Sequence, residues 1–79
     1  MTPALTIAAD IDARHLLCPL PVLRARKVLA GLAPGQVLRI ATTDAMAVID
    51  LPHFCAEAGH EVIGQQADGA ATIWTIRRG

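Results

Sequence analysis

The sequence predicts an α/β two-layer sandwich, with element order βαβαββ and two helices on one face of a four-stranded mixed sheet. Three observations predict it. An alternating segment near the N-terminus gives way to a run with helical periodicity, and a second apolar segment follows the turn Ala33-Pro34-Gly35. Strand, helix and strand joined by short loops make a right-handed unit with parallel strands. Two further strand-like runs flank Asp68-Gly69, which is a hairpin signal. At 79 residues the chain is expected to form a single domain over 1–79.

The elements follow in order. Leu5–Asp12 alternates, with Leu5, Ile7, Ala9 and Ile11 on one side, as in a strand with one buried face. Asp12 to Leu17 forms a loop that delivers Cys18, and Asp12 reads either as an acceptor for loop amides or as a solvated strand-end acid. The first helix is expected from Pro19 to Leu32, with Gly31 or Gly35 marking its exit. Val22, Ala25, Val28, Leu29 and Leu32 share its core face. Gln36–Thr42 is the second strand, Leu38 and Ile40 inward and Arg39 outward. Asp44 is a good cap for Ala45–Ile49; Pro52 then interrupts the pattern, and Asp50 can cap a second stretch from Leu51 to Ala58. A short broken helix is expected, with Ile49, Phe54 and Cys55 facing the sheet. The closing hairpin pairs Glu61–Gln66 with Ala71–Arg77 and puts Trp74 and Ile76 in the core.

The chemistry of the sequence gathers at Leu17-Cys18-Pro19-Leu20-Pro21. A residue before proline is pushed out of the α region, so Cys18 is read as the N-cap, Pro19 as the first helical residue and Pro21 as the third. The prolines delete two of the four free N-terminal donors and leave those of Leu20 and Val22 to face the sulfur. A thiolate or a persulfide anion there is stabilised by the helix dipole, which lowers the thiol pKa. Arg24 and Lys27 on the first turns add positive potential. No second cysteine stands at CxxC spacing, and none of His15, His53 or His60 is tied to Cys18 by local sequence. Leu20 and Leu23 project off the core stripe near Cys18, beside Arg24 and Lys27. They read either as a docking patch around the thiol or as ordinary scattered exposed leucines.

Composition narrows the classes. Apolar residues make up 53% of the chain, ample for a core. Seven basic residues balance seven acidic ones, and the only aromatics are Phe54 and Trp74, which argues against direct binding to nucleic acid. No apolar run reaches about 18 residues, so no membrane span is expected. Without a basic leader, the two cysteines are read as free thiols in a reducing compartment, with the cytoplasm as the expected location. Cys55 is expected to be structural, and His53 and His60 lack ligand spacing with the cysteines, so no metal is expected.

The run Ile11-Asp12-Ala13-Arg14-His15-Leu16-Leu17-Cys18-Pro19-Leu20-Pro21 resembles the signature of the TusA-like (SirA-like) sulfur carrier family: an apolar residue and Asp, then Gly-Leu-x-Cys-Pro-x-Pro at the first helix. The likeness continues through Pro34-Gly35, Thr43-Asp44, Asp50-Leu51-Pro52 and Ile76-Arg77-Arg78-Gly79. The departure is His15, where the family usually has Gly; a histidine at positive φ carries some strain. The resemblance implies the same two-layer fold and a carrier that holds sulfane sulfur as a persulfide on Cys18, with no separate cofactor. Its donor would be a cysteine desulfurase or rhodanese-type protein, and its acceptor a downstream sulfur-relay protein. The routes implied are tRNA thiolation, molybdenum cofactor supply or sulfur oxidation. The expected site is Cys18 as the reacting residue, with Asp12, Pro19, Leu20, Pro21, Leu23, Arg24 and Lys27 as binding residues around it. Two other readings stand beside this one: a binding or regulatory module in which Cys18 only caps a helix, and a redox-sensing thiol with Cys55 as its resolving partner.

Overall fold

The computed structural model describes residues 6–79, so Leu5 of the expected first strand lies outside the described residues. The elements run β1 (Ile7–Ala13), α1 (Leu20–Ala30), β2 (Val37–Thr42), α2 (Ala47–Ala58), β3 (Glu61–Asp68) and β4 (Ala71–Arg77). The four strands form one sheet, as expected, and lie in the order β1-β2-β4-β3. β1 and β2 are parallel, and β4 is antiparallel to both β2 and β3.

Register stacks the apolar positions on one face. Ile11 lies beside Ile40, Ile40 beside Trp74, and Leu38 beside Ile76. These side chains are buried together with Ala25 and Leu29 of α1 and with Ala47, Leu51 and Cys55 of α2. Trp74 is fully buried and its indole N–H donates to Thr42 Oγ1 at 2.9 Å, which satisfies the one polar atom that burial would otherwise strand. The opposite face carries no helix and mixes apolar with charged residues; Arg39 pairs with Asp10 there, and Arg14 reaches Asp68 at 3.6 Å. A cleft of about 800 Å³ lies on that face, and Cys18 does not line it.

Both helices differ from expectation in a way that matters for the site. α1 starts at Leu20 because the Leu20 N–H closes a turn onto Leu17 O at 2.8 Å, which makes Pro19 the cap. It ends at Ala30, where Gly31 and Leu32 donate to carbonyls three residues back and tighten the last turn. α2 is continuous rather than broken, with Pro52 inside it. Pro52 removes one backbone donor, that to Val48 O, and the burial of Leu51 and Cys55 on either side holds the helix in phase. In that phase Ala47, Leu51 and Cys55 face the sheet, so Ile49 points to solvent and is 63% exposed, contrary to expectation. Phe54 packs against the core and Cys55 is buried, as expected. Gly59 ends α2 in the left-handed region at φ 81°, which lets the His60 N–H return to Cys55 O. The closing hairpin turns through Gly69, also left-handed.

Candidate functional site

The loop from β1 to α1 is shaped before it reaches the cysteine. Asp12 Oδ1 accepts from the Arg14 N–H at 3.1 Å, the local amide contact expected of it, and also pairs with the Arg14 guanidinium. His15 takes φ 68°, the left-handed conformation that explains a Gly preference at this position. Its N–H donates to Thr43 Oγ1 at 2.8 Å, which ties the loop to the segment after β2. Three residues later the Cys18 N–H donates to Asp44 Oδ2 at 2.6 Å. The peptide bond from Cys18 to Pro19 is cis.

The thiol is exposed, as expected, but its environment is the reverse of the expected one. Cys18 is not the N-cap of α1, and no side chain caps that helix. The Leu20 N–H is spent on Leu17 O, so it does not serve the sulfur. Instead Cys18 Sγ donates to Asp50 Oδ2, 2.9 Å away on the first turns of α2. That hydrogen bond holds the thiol pKa above its ordinary value; partial loss of solvent and the charges of Asp50 and Asp44 push the same way. Arg24 and Lys27 do not offset them. A donor to a carboxylate is favoured in its protonated form, and the two charges acting on this sulfur are both negative. The resting state is therefore a neutral thiol with a proton acceptor in contact.

Cys18, Pro19 and Val22 border a shallow hollow of about 350 Å³, closed on the other side by Asp50, His53, Phe54 and Glu57 of α2. His53 Nε2 stands 3.3 Å from Glu57 Oε1, one turn along. Pro21 is buried and anchors the first turn of α1, while Leu20 and Leu23 are each 47% exposed. Leu17 joins them on the approach to α1; Met46, Val48 and Ile49 are exposed on the start of α2, between the two carboxylates that hold Cys18. Arg24 and Lys27 are exposed on α1. Asp12 is displaced from this group: it borders the cleft on the open sheet face. Asp50 and the apolar start of α2 are the parts that reading the sequence missed. Asp50 stood in view as a helix-capping acid and within the landmark Asp50-Leu51-Pro52, but nothing in the spacing tied it to Cys18. Cys55 lies buried, and loss of solvent raises its thiol to about 11, which leaves it poorly suited to resolve an oxidised Cys18. Among the described residues no three His, Cys, Asp or Glu side chains gather where a metal ion could be held.

Comparison with known proteins agrees in family and fold. The family model described as Sulfurtransferase TusA matches residues 9–78. A sulfur carrier protein TusA of Pseudomonas entomophila is 40% identical over 70 residues, covering 89% of this chain and 88% of that protein. The protein of the same name from Pseudomonas syringae pv. tomato is 35% identical over 75 residues, with 95% and 89% covered. Among solved structures, the SirA-like protein of Desulfitobacterium hafniense superposes with a TM-score of 0.80 at 29% identity, covering 90% of this chain and 97% of that one.

Proposed function

Because this chain belongs to the TusA sulfurtransferase family, we propose that it is a sulfur carrier that takes sulfane sulfur onto Cys18 as a persulfide and hands it to another protein. The observation that supports this best is the sulfur's position: exposed, beside a hollow, and on the rim where both helices begin. A donor's active site can reach an atom placed there. The donor is a cysteine desulfurase or a rhodanese-type protein, and delivery serves tRNA thiolation, molybdenum cofactor supply or sulfur oxidation. Leu20, Leu23, Arg24 and Lys27 form the docking rim, with Pro19 and Pro21 setting the angle at which α1 leaves the thiol. No helix among the described residues is long and apolar enough to cross a membrane.

The test is direct. The protein is incubated with a cysteine desulfurase and cysteine without reductant, and its intact mass is taken. A gain of one sulfur that Cys18→Ser abolishes and Cys55→Ser retains supports the carrier. No gain favours a binding or regulatory module, and loss of two protons points to a Cys18–Cys55 redox pair.

A further inference from the structure

We propose that Asp50 is a second catalytic residue, whose carboxylate takes the proton of the Cys18 thiol as sulfur arrives and returns it as sulfur is handed over. This rests on the carrier reading and assigns a role within it.

The geometry singles out Asp50 among the acids and bases nearby. Its Oδ2 is in hydrogen-bond contact with the reacting sulfur at 2.9 Å. It is half-buried on α2, and its backbone N–H is anchored to Met46 O at 2.8 Å, so the carboxylate is delivered by a rigid element. Asp44 is engaged elsewhere: Oδ2 accepts the Cys18 N–H and Oδ1 the Met46 N–H. His53 and Glu57 share the hollow but pair with each other. The sulfur thus faces Asp44, Asp50, His53 and Glu57, and only Asp50 hydrogen-bonds to it.

The transfer balances without an oxidant or reductant. Cys18–SH attacks the terminal sulfur of a donor hydropersulfide R–S–SH, and its proton passes to the Asp50 carboxylate. A bond forms between Cys18 Sγ and that terminal sulfur, the donor's S–S bond breaks, and R–S⁻ leaves with the electron pair. Asp50 then gives the proton to R–S⁻, so the net change is Cys18–SH + R–S–SH → Cys18–S–SH + R–SH. Handover is the reverse step with a new partner, in which Cys18 Sγ is the leaving atom. Two carboxylates disfavour its departure as a bare thiolate, so a proton held 2.9 Å away serves it directly.

The test uses glutathione persulfide as donor, which removes any dependence on a protein partner. Sulfur uptake is followed by intact mass in wild type, Asp50→Asn and Asp50→Glu, and iodoacetamide alkylation of Cys18 is followed against pH. Asp50→Asn should take up sulfur more slowly by roughly a hundredfold, the low end for lost acid–base catalysis. Its alkylation midpoint should move to lower pH, because the leading cause of the raised thiol is gone. Those opposite movements, more thiolate yet slower transfer, are what a merely structural role does not produce. Asp50→Glu should recover part of the transfer rate. Uptake by Asp50→Asn at the wild-type rate or faster overturns the assignment, and so does an alkylation midpoint that does not move. If wild type takes up no sulfur from either donor, the carrier reading itself fails, and that is seen before any variant is made.

Discussion

The main-chain N–H of Cys18 donates to Asp44 Oδ2 at 2.6 Å, so the loop bearing the thiol hangs from the segment that opens the other helix. Asp44 Oδ1 accepts the Met46 N–H at 3.2 Å, so one carboxylate serves both the loop and the first turn leading into α2. Asp44→Ala removes both contacts. It is expected to lower stability by about 1–2 kcal/mol, the usual range for a lost cap or a charge-assisted hydrogen bond. Urea unfolding measures this, and an unchanged midpoint would mean that water replaces the carboxylate at no cost.

His15 tests the loop from the other side. Its φ of 68° is the left-handed region, which a β-branched residue tolerates worst. His15→Val should destabilise by about 1–2 kcal/mol. His15→Gly should be neutral or stabilising by up to about 1 kcal/mol, since relief of strain is set against a looser unfolded chain. Glycine keeps the N–H that donates to Thr43 Oγ1, so the comparison isolates the dihedral. Thermal unfolding should place the Val midpoint below that of wild type and the Gly midpoint at or above it.

The buried pair Trp74–Thr42 gives a test of the core. Thr42 is 2% exposed, and its hydroxyl is the acceptor for the indole N–H. Thr42→Val keeps the shape and leaves that N–H buried without a partner, at a cost of about 1–3 kcal/mol. Urea unfolding followed by the fluorescence of Trp74 reports it, because this is the only tryptophan in the chain. A variant as stable as wild type would show that the hydrogen bond is not what seats the indole.

The sheet was legible because its signals are local. Alternation in Ile7–Ile11, the inward pair Leu38 and Ile40, and Trp74 with Ile76 each declare a face within a few residues, and their registers agree. α2 was harder. Pro52 argues locally for a break, whereas Leu51 and Cys55 are held by a sheet that local reading does not see. The misplacement of Ile49 follows from that error in phase. At the site, the exposure of Cys18 could be read from its proline context, but the sign of its pKa shift could not. The rule for a cysteine at a helix end weighs the nearby amides, and here a carboxylate 32 residues away outweighs them. A contact of that separation leaves no periodicity and no motif spacing in the chain.

The apolar rim is separable from the chemistry. Leu23 is 47% exposed on α1 and makes no part of the core, so Leu23→Asp should leave the unfolding midpoint within about 0.5 kcal/mol of wild type. With a cysteine desulfurase as donor, sulfur receipt should slow by roughly fivefold or more, as for loss of a contact at the heart of a protein interface. Arg24→Asp should act in the same direction through charge, with an effect that shrinks as salt is added. With glutathione persulfide as donor, Leu23→Asp should transfer at the wild-type rate. Equal slowing with both donors would mean that Leu23 disturbs the sulfur itself rather than a docking surface.

Cys55 predicts an alkaline limit to stability. Burial raises its thiol from an ordinary 9.0 to about 11 in the folded chain. A group with a raised folded pKa contributes stability that is complete below its unfolded value and is lost as pH rises through the folded one. Above pH 9.0 the unfolded chain gives up this proton while the folded chain keeps it to about 11, so unfolding grows easier across that window. Cys55→Ala carries no proton there. The variant should start less stable at neutral pH, since it leaves a small cavity beside Leu51, and its urea midpoint should fall less steeply between pH 9 and 11 than that of wild type. Parallel slopes for the two proteins would mean that this thiol titrates alike in both states and that its burial exerts no pull on the proton.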